Sequence, residues 1–538
     1  MSDAVIRTED LSLNEVKDLF VETDSEREII ECLKSKQTIL LVGSRGTGKT
    51  MLMKVAESEL SDDFSKNRIL PIFVNLSSCC IYLESNILNV MISRTLIALQ
   101  KSLRDHGIIV KGKLFAPIIS VDENPIIKQL EEYIKSTSDS ENTGSGSSES
   151  FDINDESISK DIGLFKDFLS QICETFSIKR IIILFDEACQ VFSPKQQRIF
   201  FNYFRSLREH YIVCKAAVYP GIISYGNFQA FHDATVKKVE RSISSEDYIC
   251  KMREIVRKNF ESYYSDISTQ GELLDNVIFY ASGNPRLLIK SMNEILSNNG
   301  KFRSGRVKDV IKEFYGTTIW AEHTKLSDMY PGHTDMINWA RNFIESSVLP
   351  SIHKVNYESS DKQTIYFLIS RKAPEVIQHS IKILEYSGII SLCDEGVKRR
   401  TDVYNRYEIN LGVVVNSEKQ SNIPTRGIEI ATKLSKSHLF VEFGANSPEY
   451  GDYKNLVEIT KSDNSDQDIL GTILKQDIDV LDLTYTMKTK LHENRFNSIS
   501  DVLSGGEDAL RSIPYVGAVR SRKISNLVFN AILEYISG

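Results

Sequence analysis

Gly43-Ser44-Arg45-Gly46-Thr47-Gly48-Lys49-Thr50 has the spacing G-x-x-x-x-G-K-[ST] of a phosphate-binding loop. Its flanks agree with that reading. The run Thr38-Ile39-Leu40-Leu41-Val42 enters it as a strand, and Met51-Leu52-Met53-Lys54-Val55-Ala56-Glu57 leaves it as a helix. Glycines let the backbone fold around an anion, and the N–H groups of the loop and of the helix start point at phosphate oxygens. Lys49 is expected to reach the β- and γ-phosphates of a nucleotide, and the Thr50 hydroxyl to hold Mg²⁺.

A second stretch, Arg180-Ile181-Ile182-Ile183-Leu184-Phe185-Asp186-Glu187, is a continuous apolar run that ends in two acids. Its length and β-branched residues predict a strand buried on both faces of a parallel sheet. Carboxylates at the C-terminal end of such a strand stand at the ligand edge of an α/β sheet. In this Walker B pattern Asp186 belongs to the Mg²⁺ shell, and Glu187 orients or deprotonates an attacking water.

The remaining composition sets bounds. The chain has 538 residues, room for three or four domains. Hydrophobic residues make up 41% and charged residues 26%, as in ordinary globular proteins. No window approaches 18 consecutive apolar residues, and Met-Ser-Asp-Ala-Val lacks a signal pattern, so a cytoplasmic protein without a membrane span is expected. The eight cysteines form no C-x-x-C pair and read as reduced core residues, and the nine histidines form no H-E-x-x-H. A net charge of −8 argues against indiscriminate nucleic-acid binding by the whole chain but leaves room for a locally basic module.

Five segments follow along the chain. Residues 1–240 form the P-loop ATPase core. Within it, Thr23 or Asp24 caps a helix running to Lys34, and residues 136–150, with no apolar side chain, read as a disordered loop. A helix of about 196–210 carries Arg205 and Arg208, and the next strand ends in Tyr219-Pro220, where a small polar residue or an arginine is usual. Residues 241–330 are a helical lid whose joint, Gly283-Asn284-Pro285-Arg286, ends one helix and starts the next.

Residues 331–415 read as a winged helix. A helix from Pro374 to Tyr386 has an apolar stripe at 377, 381 and 384 and offers Glu375, Gln378, His379, Lys382 and Glu385. Strands of about 389–393 and 403–411 flank a turn at Asp394-Glu395-Gly396, with Lys398, Arg399, Arg400 and Arg406 nearby. This unit either contacts nucleic acid through the wing, or contacts protein or packs against another domain. Residues 416–475 read as a linker with some structure, a helix and a strand around 427–443, and 476–538 as a compact helical module anchored by Leu481, Leu483, Leu491, Ile499, Val502, Leu503 and Leu510. That module contains a hairpin-like stretch, Ile513–Gly517, and a closing helix with Arg520, Arg522 and Lys523 in its first turns.

The P-loop, Asp186-Glu187, the G-N-P-R joint and the winged helix, over roughly residues 15–415, resemble the origin-recognition initiator branch of AAA+ ATPases and the related STAND signalling ATPases. The resemblance implies a multidomain α/β protein that uses ATP and Mg²⁺. Its P-loop parallel-sheet core carries a helical lid, a winged helix and a C-terminal helix-hairpin-helix. The cofactor-binding residues are then Gly43, Ser44, Arg45, Gly46, Thr47, Gly48, Lys49, Thr50 and Met51. Phe20 and Val21 hold adenine or else pack in the core. In initiators an arginine at the position of Arg286 contacts the γ-phosphate, while in STAND proteins a proline at the position of Pro285 lies near the base. Glu187, Lys49 and Arg286 are the expected catalytic residues, with Thr50 and Asp186 on the metal.

The C-terminal segment resembles the C-terminal domain of the RNA polymerase alpha subunit, a helix-hairpin-helix variant. Such hairpins bind a DNA phosphate through backbone N–H groups with cations nearby. Gly517, Arg520, Arg522 and Lys523 are the corresponding residues here, although Tyr515 stands where the common hairpin has a glycine. A protein partner is the other reading. Two functions follow from these resemblances. One is a slow ATPase, in a homo-oligomer if Arg205 or Arg208 acts on a neighbour, whose nucleotide state controls engagement of DNA, RNA or a protein effector. The other is a STAND-like switch or scaffold with little hydrolysis, of the kind prokaryotic defence systems use.

Overall fold

The computed structural model describes residues 8, 11–77, 87–108, 155–188, 193–221, 223–297, 300–359, 361–419, 422–436, 439–451, 453 and 474–536. The expected loop at 136–150, and Cys79, Cys80 and Cys189, lie outside these residues. The chain forms two compact units. One comprises 1–269 with 283–299, and the other 270–282 with 300–538.

The first unit is built on a five-stranded parallel sheet. Its strands are β1 (Ile39–Val42), β2 (Ile69–Asn75), β3 (Arg180–Asp186), β4 (Ile212–Val218) and β5 (Thr235–Lys238), in the order β2-β3-β4-β1-β5. The apolar runs of β1, β3 and β4 are buried on both faces, as a parallel sheet covered by helices requires. Alternate side chains enter opposite cores. Ile181, Ile183 and Phe185 pack with Leu40, Ile212 and Phe200 on one face, while Ile182 and Leu184 pack with Ile39, Leu41 and Leu52 on the other.

The topology decides where the chemistry falls. The loop 43–48 leaves the C-terminal end of β1, and Asp186-Glu187 the same end of β3. Since β4 lies between those strands, the residue after β4, Tyr219, falls between the two motifs.

The second unit holds helices and a four-stranded sheet, β6 (Tyr366–Ser370), β7 (Ile390–Arg399), β8 (Asp402–Ile409) and β9 (Val441–Phe443), in the order β7-β8-β6-β9. The helix Glu375–Ser387 follows β6 and stops at Gly388, whose φ of 79° is left-handed. The hairpin differs from expectation. β7 continues to Arg399, and the turn falls at Arg400, because Asp394–Val397 forms a bulge with Gly396 at φ 74° and Asp394 pairs with Arg406.

Within 416–475 the helix and strand expected around 427–443 are present as Ile423–Thr432 and Val441–Phe443. The helix Ile423–Thr432 buries Ile423 and Ile430 against the helix Gly271–Tyr280, where Tyr280 donates its hydroxyl to Ile423 O and Asn276 Oδ1 accepts Ile428 N at 3.0 Å. One further expectation is corrected by this packing: 241–330 is not one lid. Its segment 270–282 packs with these helices, whereas 283–299 packs with the first unit.

At the C-terminus the helices are Tyr485–Glu493, Ile499–Arg511, which kinks at Gly506 (φ 63°), and Ala518–Ile536. Among the expected anchors Leu481, Leu491, Ile499, Val502 and Leu510 are buried, while Leu483 and Leu503 are half-buried. Among the described cysteines Cys173 and Cys214 are buried and Cys250 is exposed, so not all are core residues. No described helix is long and apolar enough to cross a membrane.

Candidate functional site

Gly46 and Gly48 take φ of 89° and 97°, where side-chain-bearing residues are strained, so the loop needs glycine at both. The helix Lys49–Asp62 starts at Gly48 with no side-chain cap. Its first N–H groups have no intrahelical partner and concentrate positive potential at the loop.

The expected catalytic residues converge there. Lys49 is 6% exposed, and its Nζ donates to Gly43 O at 2.7 Å and Ser44 O at 3.1 Å. Burial lowers its ammonium to about 7, against the attraction of nearby Asp186. Thr50 Oγ1 donates to Asp186 Oδ2 at 2.8 Å, so both expected metal ligands already face one another. Burial pushes the Asp186 carboxyl up to about 6, with the Thr50 hydrogen bond pulling the other way. Glu187, directly after β3, sits at a left-handed φ of 54°. There its Oε1 accepts the Tyr219 hydroxyl at 3.4 Å, and the Tyr219 ring centre lies 4.2 Å from Lys49 Nζ.

A pocket opens onto the loop. Its lining includes Phe20, Val21, Gly46, Gly48, Lys49, Thr50, Met51, Glu187, Pro285 and Arg286, all expected from sequence. Gly43, Ser44, Arg45, Thr47 and Asp186 are not among the residues that line it. Thr47 Oγ1 closes the loop onto Ser44 O at 3.0 Å. Phe20 ends the helix Leu13–Leu19, and its carbonyl accepts Lys258 Nζ at 2.7 Å from the helix Tyr248–Asn259. Arg286 is close enough that its charge opposes that of Lys49.

Sequence reading missed Arg241, Ile255 and Asn259, which also line the pocket. Arg241 Nη1 donates to Thr47 O at 2.7 Å, and its Nη2 pairs with the buried Glu26. The signal available was its place three residues past β5, at the same sheet edge as the loop. Tyr219 was noted only as a departure, yet it touches both motifs.

The residues expected on nucleic acid do not act alike. Gly517, Arg520 and Lys523 are exposed, and Arg520 Nη1 donates to Tyr515 O at 2.6 Å. Gly517 has ordinary backbone angles, whereas Tyr515 occupies a left-handed φ of 70°. Arg522 instead is bonded internally, to Glu507, to Lys372 O at 2.9 Å and to Asn446 Oδ1 at 2.9 Å. In the hairpin Arg399 pairs with Glu442 and Arg406 with Asp394, leaving Lys398 and Arg400 exposed. His379 and Glu385, two of the polar side chains that the helix Glu375–Ser387 offers, are buried. The helix Ala518–Ile536 packs there, with Phe529 6.2 Å from His379 and Asn526 Oδ1 accepting Glu375 N at 3.3 Å. Arg205 and Arg208 are exposed, with Arg205 Nη1 3.4 Å from Asn227 O.

With this geometry in view, the comparisons are informative about the first segment. A family model described as ORC-CDC6-like matches residues 4–108. That stretch contains the loop and Phe20. No curated protein matches the chain. Among solved structures, the Aeropyrum pernix ORC1 protein in complex with DNA is 12% identical, covering 74% of this chain and 93% of that one at a TM-score of 0.33. The Aeropyrum pernix ORC2 protein is 10% identical, with coverages of 76% and 94% and a TM-score of 0.33. The replication initiator DnaA, bound to AMPPCP and single-stranded DNA, is 12% identical, with coverages of 69% and 86% and a TM-score of 0.29.

Proposed function

We propose that this protein binds ATP with Mg²⁺ and hydrolyses it slowly, and that its nucleotide state controls engagement of nucleic acid or a protein partner. One observation carries the reading: Lys49, the Thr50–Asp186 pair and Glu187 converge at the open end of a glycine loop on a parallel sheet. The family match over 4–108 supports it.

Thr50 and Asp186 fit Mg²⁺. Both offer hard oxygen atoms, and the Asp186 carboxylate, buried and raised toward neutrality, gains most from a cation beside it. When bound, the ion neutralises phosphate charge. The remaining work falls to the chain. Lys49 and the N–H groups of the helix start stabilise the phosphates, Arg286 adds charge from the joint, and Glu187 orients water. The exposed Arg520 and Lys523 are the cations proposed for nucleic-acid contact, with Lys398 and Arg400 on the hairpin.

A second reading, a nucleotide switch with little turnover, is favoured by the Tyr219–Glu187 bond, which holds the water-orienting carboxylate to a tyrosine. Glu187→Gln separates the two. The test is ATP binding and turnover, with and without DNA or RNA, for the wild type, Lys49→Ala and Glu187→Gln. The proposal expects Lys49→Ala to lose binding, and Glu187→Gln to bind ATP while losing both turnover and its dependent activity. Retention of that activity in Glu187→Gln would move the function to the switch.

A further inference from the structure

Three successive loop carbonyls accept donors from outside the loop. Arg45 O accepts Asn284 Nδ2 at 2.9 Å, Gly46 O accepts Arg286 N at 3.4 Å, and Thr47 O accepts Arg241 Nη1 at 2.7 Å. In a trans peptide the C=O of one residue and the N–H of the next point opposite ways. Fixing these carbonyls outward therefore turns the N–H groups of Gly46 and Gly48 to the other side, where an anion is to be held. The loop is thus shaped by the segment 283–286 and by Arg241, not by its own sequence alone.

Asn284 is the hub of this arrangement. It is 6% exposed. Its Oδ1 accepts Arg286 N at 3.1 Å and Leu287 N at 3.3 Å, which caps the helix Pro285–Leu296, while its Nδ2 holds the loop. One carboxamide therefore ties the start of that helix to the loop. The fit is close. A Cβ on Gly46 would lie 2.6 Å from Arg286 Cβ and 2.7 Å from Asn284 Oδ1. A Cβ on Gly283 would lie 2.1 Å from Arg241 O. A loop whose peptide planes reorient around phosphate cannot do so without moving the Asn284 amide, and with it the cap.

We propose that Asn284 is a positioning residue that couples nucleotide occupancy of the loop to the helix Pro285–Leu296, by holding the Arg45 carbonyl with its nitrogen and the helix N–H groups with its oxygen. This rests on the nucleotide-binding reading above.

Asn284→Ser and Asn284→Asp dissect the two halves. Both residues are good helix caps, but serine is too short to reach the loop as well, and an ionised aspartate has no donor. Full-length wild type, both variants and Lys49→Ala are titrated with mant-ATP in Mg²⁺. Hydrogen exchange over 285–296 is then read with and without saturating nucleotide. The expected result is that both variants melt as the wild type does and bind about five- to tenfold more weakly, the worth of one hydrogen bond. At saturation they lack the exchange protection that the wild type gains at the start of this helix. Wild-type affinity together with wild-type protection in either variant overturns the coupling while leaving nucleotide binding intact. A melting temperature lowered by more than about 5 °C in both variants reduces Asn284 to a structural cap and also overturns it. Equal, background-level binding by wild type and Lys49→Ala removes the nucleotide reading, and the coupling with it.

Discussion

The ammonium of Lys49 lies 4.2 Å from the centre of the Tyr219 ring, and the hydroxyl of the same tyrosine donates to Glu187 Oε1 at 3.4 Å. One side chain thus addresses Lys49 with its face and Glu187 with its tip. The two interactions separate by substitution. Tyr219→Phe keeps the ring under Lys49, so nucleotide affinity stays at the wild-type level while turnover changes as Glu187 is released. Tyr219→Leu removes the ring as well. A cation over an aromatic face contributes about 0.5–2 kcal/mol, so nucleotide binding weakens by roughly 2- to 30-fold. Equilibrium binding beside single-turnover hydrolysis for the two variants is the check, and equal affinities in Phe and Leu would exclude a role for the ring.

A second lysine serves the fold. Lys215 on β4 is fully buried, and its Nζ donates to Cys32 O at 3.1 Å, to Ser35 O at 2.9 Å and to Gln37 O. Cys32 O also accepts Ser35 N at 3.1 Å and Ser35 Oγ at 2.7 Å, so the carbonyls that depend on the lysine are those of Ser35 and Gln37, in the turn after the helix Asp24–Lys34. Methionine matches the length of the lysine side chain but donates nothing. Lys215→Met is therefore expected to destabilise the protein by about 2–4 kcal/mol, through stranded carbonyls and not through volume. Denaturant midpoints of the two proteins report it, and a variant as stable as the wild type would mean that water replaces the ammonium without cost.

The cations of the C-terminal module divide into two groups with opposite signatures. Arg520 and Lys523 are exposed, so Arg520→Ala with Lys523→Ala should leave the melting temperature unchanged. If the module binds nucleic acid, the pair should lower the slope of log affinity against log salt by about 0.9 for each phosphate that is no longer neutralised. Arg522 is 15% exposed and faces Glu507 at 7%. Arg522→Ala leaves that carboxylate buried with Arg511 Nη2 at 3.1 Å, and is expected to cost about 3 kcal/mol or more in stability. Thermal melts and salt-dependent DNA binding of both variants separate the classes. An unchanged salt slope in the double variant would exclude these two side chains from the phosphate backbone.

What was legible in the sequence was local. The loop and the acids after β3 are contiguous motifs, and β3 is an unbroken apolar run, so Gly43–Thr50 and Asp186-Glu187 could be assigned without knowing the sheet order. Tyr219 and Arg241 could not. Both reach the site only because β4 and β5 pair with β1, and β5 at the sheet edge reads Thr-Val-Lys-Lys, with no apolar run to announce a strand. The helix Glu375–Ser387 misled for the opposite reason. Its stripe at Ile377, Ile381 and Leu384 suggested one buried face, but Val376, Ile383 and Tyr386 are buried as well. His379 and Glu385, polar in type, are buried too, and Phe529 of the helix Ala518–Ile536 lies against His379. The stretch after 416 announces its helix and strand only weakly, since Gly427, whose lack of a side chain admits Tyr280, carries no apolar signal.

Acid should loosen the second unit selectively. His379 is fully enclosed, 5.4 Å from the His333 ring and 6.2 Å from Phe529, and its Nε2 has no hydrogen-bond partner among the described residues. Burial holds His379 well below its usual 6.5, with His333 and Lys382 adding repulsion, and burial lowers His333 to about 4. Histidines depressed in the folded state remain neutral there while the unfolded chain takes up protons below about pH 6.5. Stability is therefore full above that pH and falls as pH drops toward 4. At pH 5 His333 costs about 2 kcal/mol, and His379 acts in the same direction. The wild-type melting temperature should decline from pH 7 to pH 5, and His379→Leu, which cannot take up a proton, should decline less steeply. Exchange of the helix Ala518–Ile536 should rise over the same interval in the wild type, because that helix covers His379. Parallel pH profiles for the two proteins would show that His379 takes up protons equally in the folded and unfolded states.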